Sequence, residues 1–589
     1  MAEFHQLGGP DEENAEIKRL NAEVEADPDS FEAWEKLIRA CESLEGGLSR
    51  NSSAESLAIL REAYDRFLLK FPLLFGYWKK YADLEFNISG PESAEMIYER
   101  GCASISHSVD LWKEYCSFKM ETTHVPHLVR ELFERGAACV GLDFLAHPFW
   151  DKYLEFEERQ DAQDKIYAIL SRVIHIPMHQ YARYYERLRT MAATRPLHEM
   201  ATADRLASLK SEVEMEAASL GEEKSEDELE ILIRAKIDGA YYEIFTKNQT
   251  ETTKRWTYEA EIKRPYFHVT ELDNPQLVNW RKYLDFEEQE GSYARICFLY
   301  ERCLVTCAFY DEFWFRYARW MSAQPGKTEE VRNIYLRAAS VYVPISRPGI
   351  RLQYAYLEES IGRVDVARDI HNAILMKLPG CIEVIISLAH LERRQSNVEA
   401  AIEVYKQQID SPEVDIWTKA VLVTEWAYIL WRAKGSVDEA RAVFQKNVQW
   451  YSGSREFWQK WIQLELEQPT NDELEAQHSE RLKDIFAKLR GESNLSAASK
   501  KELCATYLTY LQQRGGKGAM EQFLLIDREM FGPASVSLAS PGKSGAKENG
   551  VAVSEVDEAT RQKAEARYYS FYQLHMDPNP EAQGSTSFH

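Results

Sequence analysis

Large apolar and aromatic residues return every three or four positions along this chain, with charged residues between them. In WRKYLDFEEQEGSYARICFLYERCL, residues 280–304, Trp280, Tyr283 and Phe286 stand three apart. On an α-helix such positions lie within about 120° of arc and make one sticky face. Gly291 and Ser292 fit a stop and a restart. A second helix is predicted over 293–305, carrying Tyr300-Glu301-Arg302. The pattern is a pair of helices.

The pair recurs. First-helix copies place Trp78 with Tyr81, Trp112 with Tyr115, Trp150 with Tyr153, Trp314 with Tyr317 and Trp458 with Trp461; a weaker copy has Trp34 and Leu37. Second-helix copies end in Tyr98-Glu99-Arg100 and Phe133-Glu134-Arg135, and VRNIYLRAA keeps Tyr335 and Arg337. Degenerate copies surround Phe444 and Phe486. Trp78 to Trp112 is 34 residues, Trp112 to Trp150 is 38, and Trp280 to Trp314 is 34. These periods suit a two-helix repeat. Neither helix can bury its face alone, but stacked neighbours share a continuous core. The expected fold is an all-α solenoid, and the paired aromatics Trp78 to Trp461 are its core. A carboxylate stands seven residues after several of these Trp positions (Glu85, Glu157, Glu287, Glu465), with Lys119 in one copy. It is predicted to be partly buried and paired with an Arg or backbone donor of a nearby second helix. Ser436 and Glu439 read as a capping box.

Composition narrows the function. The 589 residues carry a formal net charge of −24, which disfavours general nucleic-acid binding. The nine Cys form no CxxC pair, and Cys297, Cys303 and Cys307 fall on a helical pattern, as buried small residues would. The first residues lack the basic start and apolar core of a signal peptide. No apolar run reaches the roughly 18 residues of a membrane span, so no membrane partner is expected. There is no P-loop, GxSxG, HExxH or GxGxxG, and no Asp-rich DDxxD. His175 and His179 flank Pro177, which opposes a helical metal pair. Neither an enzyme, nor a cofactor, nor a metal site is expected.

The motif Trp-xx-Tyr-xx-Phe-Glu followed by Ile/Leu-Tyr/Phe-Glu-Arg resembles the HAT (half-a-TPR) repeat, a class acting in RNA processing. Both half-motifs recur from about residue 31 to 490. The segment TKRWTYEAEIKRPYFHVTELDNPQLVNWRKYLDFEEQEG, 253–291, is not a repeat consensus; it resembles the mid-chain segment of the pre-mRNA-processing factor 39 family. That resemblance implies two HAT arrays, TPR-like helix-turn-helix repeats in each. It also implies a non-catalytic splicing scaffold in the nucleus, associated with proteins of the U1 small nuclear ribonucleoprotein and with 5′ splice-site recognition. It implies dimerisation through the C-terminal repeats, with itself or a paralogue; RNA contact is expected to be indirect or weak. The alternative is a HAT scaffold of the mRNA 3′-end cleavage and polyadenylation machinery, which segment 253–291 disfavours. A TPR-like chaperone adaptor would need a repeated Lys/Arg/Asn clamp, and none is seen.

The expected organisation is a disordered 1–20 and an N-terminal array over 21–250 with an acidic insert at 190–229. A structured linker follows at 251–275, then a dimerising C-terminal array over 276–531. A flexible linker (532–552), an amphipathic helix (553–576) and a disordered tail (577–589) close the chain. Between 211 and 230 there are nine acidic residues and one Lys, Lys224. Lys254, Arg255, Lys263 and Arg264, interleaved with aromatics, form a candidate RNA or partner patch. Phe486, Tyr507, Tyr510, Leu511 and Phe523 are the candidate dimer contact.

Overall fold

The structure is a computed structural model that describes residues 11–220, 225–469, 471 and 474–532. Every regular element among them is a helix, so the expected all-α solenoid is the fold. Residues 533–552 of the expected flexible linker, the amphipathic segment 553–576 and the tail 577–589 lie outside the described residues. The expectation of disorder over 1–20 needs correcting from residue 11 on. The helix Asp11–Ala26 buries Ile17, Leu20 and Val24, whose helical spacing gives it an apolar stripe to lay on the helix Phe31–Glu42.

The chain divides into two compact units, 1–324 and 325–589. In each, consecutive antiparallel helices of about four turns stack in sequence order. Several first helices open with a capped turn. Ser30, Ser108 and Ser454 accept hydrogen bonds from the amides of Ala33, Leu111 and Phe457. Ser436 is an exception to expectation: it begins the helix Val437–Tyr451 without a side-chain cap.

Four contacts make the repeat. First, the motif Trp of these first helices is buried, and in most copies, Trp280 excepted, its indole N–H reaches back to a carbonyl of the preceding turn. Trp78 donates to Pro72, Trp112 to Ser106, Trp314 to Ala308 and Trp458 to Ser452, at 2.8–3.0 Å. The buried N–H is thus satisfied while the ring fills the core. Second, the aromatic three residues later stacks on the aromatic of the preceding second helix. Tyr64 meets Tyr81 at 4.6 Å, Phe133 meets Tyr153 at 4.6 Å, Tyr300 meets Tyr317 at 4.6 Å and Phe444 meets Trp461 at 5.6 Å, all near parallel.

Third, the Arg of the Tyr-Glu-Arg motif lies over the Trp of its own pair: Arg100 on Trp78, Arg135 on Trp112, Arg302 on Trp280. The same Arg pairs with the acid of the preceding motif, as Arg100 with Asp65, Arg135 with Glu99 and Arg302 with Glu259. Fourth, the carboxylate after the Trp is buried in a two-pronged pair with an Arg of the preceding second helix. Arg61 holds Glu85, Arg130 holds Glu157, Arg255 holds Glu287 and Arg441 holds Glu465. Arg332 with Glu358 and Arg368 with Glu392 continue the series. In each case the Arg stands three residues before the second-helix aromatic or its equivalent. The paired guanidinium and carboxylate geometry is the strong, directional kind. It fixes how one repeat sits on the next.

The helix Glu226–Glu261 departs from this regularity, with 36 residues. Its middle packs on Tyr181–Thr194, Phe245 meeting Tyr181 and Tyr185, and so supplies that repeat's second helix. Its start pairs with Ala203–Leu220 around a small separate core of Leu209, Val213, Ile233 and Ile237. The described part of the acidic stretch is therefore a helical hairpin, with Lys236 bridging Glu212 and Glu216. The helix runs unbroken through 251–261, so the first half of the expected linker is helical. The following pairs up to residue 322 belong to the first unit.

Candidate interaction surfaces

The expected core residues are where the repeat requires them. Trp78, Tyr81, Trp112, Tyr115, Trp150, Tyr153, Trp280, Tyr283, Trp314, Tyr317, Trp458 and Trp461 are all buried. They support the surfaces and are not part of them.

Two of the four cations of the basic stretch, Lys254 and Arg255, are spent on carboxylates of the chain. Arg255 is 1% exposed and spends its guanidinium on Glu287 and Glu251. Lys254 reaches Glu290 at 2.7 Å and Glu251 at 3.3 Å. Arg264 donates to the carbonyl and hydroxyl of Thr270, and the Lys263 amide to Gln276. The missed signal is the motif itself. Arg255-x-x-Tyr258-Glu259 repeats Arg61-x-x-Tyr64-Asp65, so this stretch is the end of a second helix. Of its aromatics, Tyr258 stacks on Tyr283 at 5.1 Å, whereas Trp256 and Tyr266 remain half exposed.

Those two exposed rings flank a built feature of the first unit. Arg302 is buried between Asp143, at 3.1 Å, and Glu259, at 2.6 Å. Burial pushes the Asp143 carboxyl upward while Arg302 opposes the shift. Beside this node lies a cavity of 250 Å³ lined by Ile105, His107, Asp110, Leu145, Tyr266 and Val305 among others. His107 meets Phe298, and Trp256 packs on Phe144 and His179. The turns after residues 104 and 140 thereby touch the helix Tyr293–Thr306. Sequence reading had no route to this node, because Asp143 sits in a turn outside the repeat motif.

The candidate dimer residues Phe486, Tyr507, Tyr510 and Leu511 are buried inside the second unit, and Phe523 packs against the same core. Phe486 stacks on Tyr507 at 4.3 Å, the standard joint between repeats. They are not available to a partner without opening that core. The exposed apolar side chains of this unit are others, Met376, Ile416, Trp450, Leu524 and Leu525 among them.

Among the described residues, no group of three or more His, Cys, Asp or Glu is arranged to hold a metal. His179 turns to His147 and Trp256. None of the nine Cys is in a disulfide; Cys303 and Cys307 are buried, and Cys297 is partly buried. No described helix is long and apolar enough to cross a membrane.

The PRP39 C-terminal HAT repeat family matches residues 253–394, and the PRP39 N-terminal HAT repeat family matches 18–190 and 352–476. Pre-mRNA-processing factor 39 of Schizosaccharomyces pombe is 49% identical over 536 residues, 89% of this chain and 88% of its own. The U1 small nuclear ribonucleoprotein component PRP42 of Saccharomyces cerevisiae is 23% identical over 55% of this chain and 60% of its own. The crystal structure of CstF-77 shares the fold, with a TM-score of 0.51 and 14% identity over 85% of this chain and 95% of that one. With its repeat ladder, its 253–291 segment and its near full-length likeness to the fission-yeast protein, the chain belongs to the PRP39 family of HAT-repeat proteins.

Proposed function

We propose that this chain is a non-catalytic scaffold of pre-mRNA splicing that works in the nucleus with the U1 small nuclear ribonucleoprotein in 5′ splice-site recognition. The observation that carries the reading is its 49% identity over most of its length to a pre-mRNA-processing factor 39. The likeness to a U1 component supports the particle. The structure suits the role physically. A solenoid whose repeats are locked by ion pairs and stacked rings offers long surfaces from a simple fold. Its internal charges are largely spent on one another, so affinity would come from exposed apolar and aromatic side chains contacting proteins, with RNA contact indirect. Pairing with a second copy or a paralogue is assigned to the second unit, through its exposed apolar side chains. The test is a mild purification of the tagged chain from its own cells with sequencing of the small RNA that accompanies it. Enrichment of U1 RNA is expected. Its absence, with 3′-end processing factors in the eluate, would move the function to polyadenylation.

A further inference from the structure

We infer that the cavity beside Arg302 in the first unit is a socket for one apolar side chain of a basic peptide segment on a partner protein. The inference deepens the reading of this chain as a protein-binding scaffold and does not depend on which particle it serves. The cavity is built where turns meet. Residues 105–110 lead into one first helix and 143–148 into the next, while Pro265 and Tyr266 come from the stretch after Glu226–Glu261. Ile105, Val109, Leu145, Pro148, Pro265 and Val305 give it apolar walls. Ile105 and Val305 are buried, but Leu145 is 41% exposed and Tyr266 46%, so apolar surface continues from the interior to the rim. At 250 Å³ the space is smaller than the about 300–1,000 Å³ of small-molecule sites, and it suits a single large side chain.

The polar groups of the lining are already engaged. Ser108 caps the Leu111 amide, His107 contacts the Ser106 hydroxyl, and His147 turns to His179. Asp143 accepts from the Leu145 amide and from Arg302, which Glu259 also holds. A polar group buried here would lose water without a matching partner, so the interior favours an apolar one. The mouth has a different need. Asp110 is exposed, and among the described residues nothing pairs with its side chain. The bordering segments 105–110, 143–148 and 261–273 hold five carboxylates against two cations, and buried Arg302 adds a third. That balance attracts Lys and Arg and repels phosphate, which selects a basic peptide over RNA. An apolar anchor in a pocket with a partly exposed rim is the form in which few residues carry most of the binding energy.

Two measurements on the full-length chain test the proposal. The first is fluorescence anisotropy in about 0.15 M salt, which screens unspecific charge attraction. The probe is a mixture of short fluorescein-labelled peptides with one central Leu, Met, Phe or Trp among Lys and Arg. Controls are the same peptides with a central Ala, the same with Asp and Glu for the cations, and single-stranded poly(U). The probe should bind about tenfold more tightly than each control. Asp110→Lys, at the exposed mouth, and Val305→Phe, which fills the interior, should each weaken it about tenfold. In the second measurement the bound probe should slow amide exchange at 105–110, 143–148 and 263–267. Asp110→Lys alters no packed residue, so its result stands even if Val305→Phe disturbs the fold. No binding of the probe, equal or tighter binding of a control, unchanged affinity in Asp110→Lys, or protection confined to other segments would each overturn the socket. None of these outcomes bears on U1 RNA enrichment, which the purification reads separately.

Discussion

The joint between Arg255 and Glu287 and the joint between Glu95 and Lys119 stand at the same place in two repeats, with their charges exchanged. In the first, the second helix gives the cation and the next first helix the anion. In the other, Glu95 is on the second helix and Lys119 on the first, and they are in direct contact. A third version is uncharged: Cys297 and Met321 occupy the two positions. What the repeat demands there is complementarity across the joint, not a particular sign. Burying an ion pair costs desolvation that its attraction need not exceed. The charged joint therefore does less for net stability than for register, because a slipped helix would leave both ions buried and alone.

The comparison breaks hardest at Glu287. It is 1% exposed and lies between Arg255, at 2.7 Å, and Arg295, at 3.4 Å. Burial and the neighbouring Arg255 already lower the Arg295 pKa. Glu287→Ala should cost about 3–5 kcal/mol in urea unfolding of the first unit, the usual penalty for a buried charge stripped of its partner. Copying the uncharged joint with Arg255→Met and Glu287→Leu together should recover all but about 1 kcal/mol. If the double variant were as unstable as the single, the pair would be a source of stability and the register argument would fail.

The exchanged joint gives the next effect. Lys119→Glu would set two carboxylates against each other, with Glu95 partly in water, and should cost about 1–2 kcal/mol. Adding Glu95→Lys should return the chain to within about 0.5 kcal/mol of the parent. A double-mutant cycle with no coupling would show that the two residues merely sit near each other.

Trp450 sharpens a different contrast, between rings that make joints and rings that do not. It is 66% exposed, at the end of Val437–Tyr451, while Phe444 one turn and a half earlier is fully buried. If the second unit pairs with another copy, Trp450→Glu should weaken pairing by about 2 kcal/mol, some thirtyfold, in sedimentation or light scattering. The same change at Phe444 would unfold the repeat and so says nothing about pairing.

Those two rings also show what the sequence could tell. The spacing of Trp, Tyr and the Glu-Arg pair made the helices, their pairing and their core legible, since each signal recurs within one repeat. The partner of Glu287 was not legible. It lies 32 residues back, while other pairs span 24 to 27, so no fixed offset reveals it. The same ambiguity made Arg255 read as a surface cation. Phe486 and Tyr507 read as a dimer contact because an aromatic in a degenerate repeat looks identical whether it faces the next helix or a partner. Residues at the joints are shared between repeats, and single-repeat reading sees only half of each.

His371 offers the gentlest test. It stands three residues after Arg368, where other second helices carry Tyr or Phe, and it is fully buried. Its Nδ1 contacts the Ala367 carbonyl at 2.7 Å and its Nε2 the Ser387 hydroxyl at 2.9 Å. Burial holds its pKa below the ordinary histidine value. The folded chain thus keeps it neutral, and the unfolded chain takes up the proton first as pH falls. Its contribution is intact above about pH 6.5 and is lost progressively below it. Between pH 7.5 and 5.5 the parent should lose about 1 kcal/mol more stability than His371→Phe, which restores the aromatic found in the other joints. Equal losses in the two chains would mean that the imidazole is protonated in the fold, with Ser387 and Ala367 both accepting from it, and that this joint is an ion site in its own right.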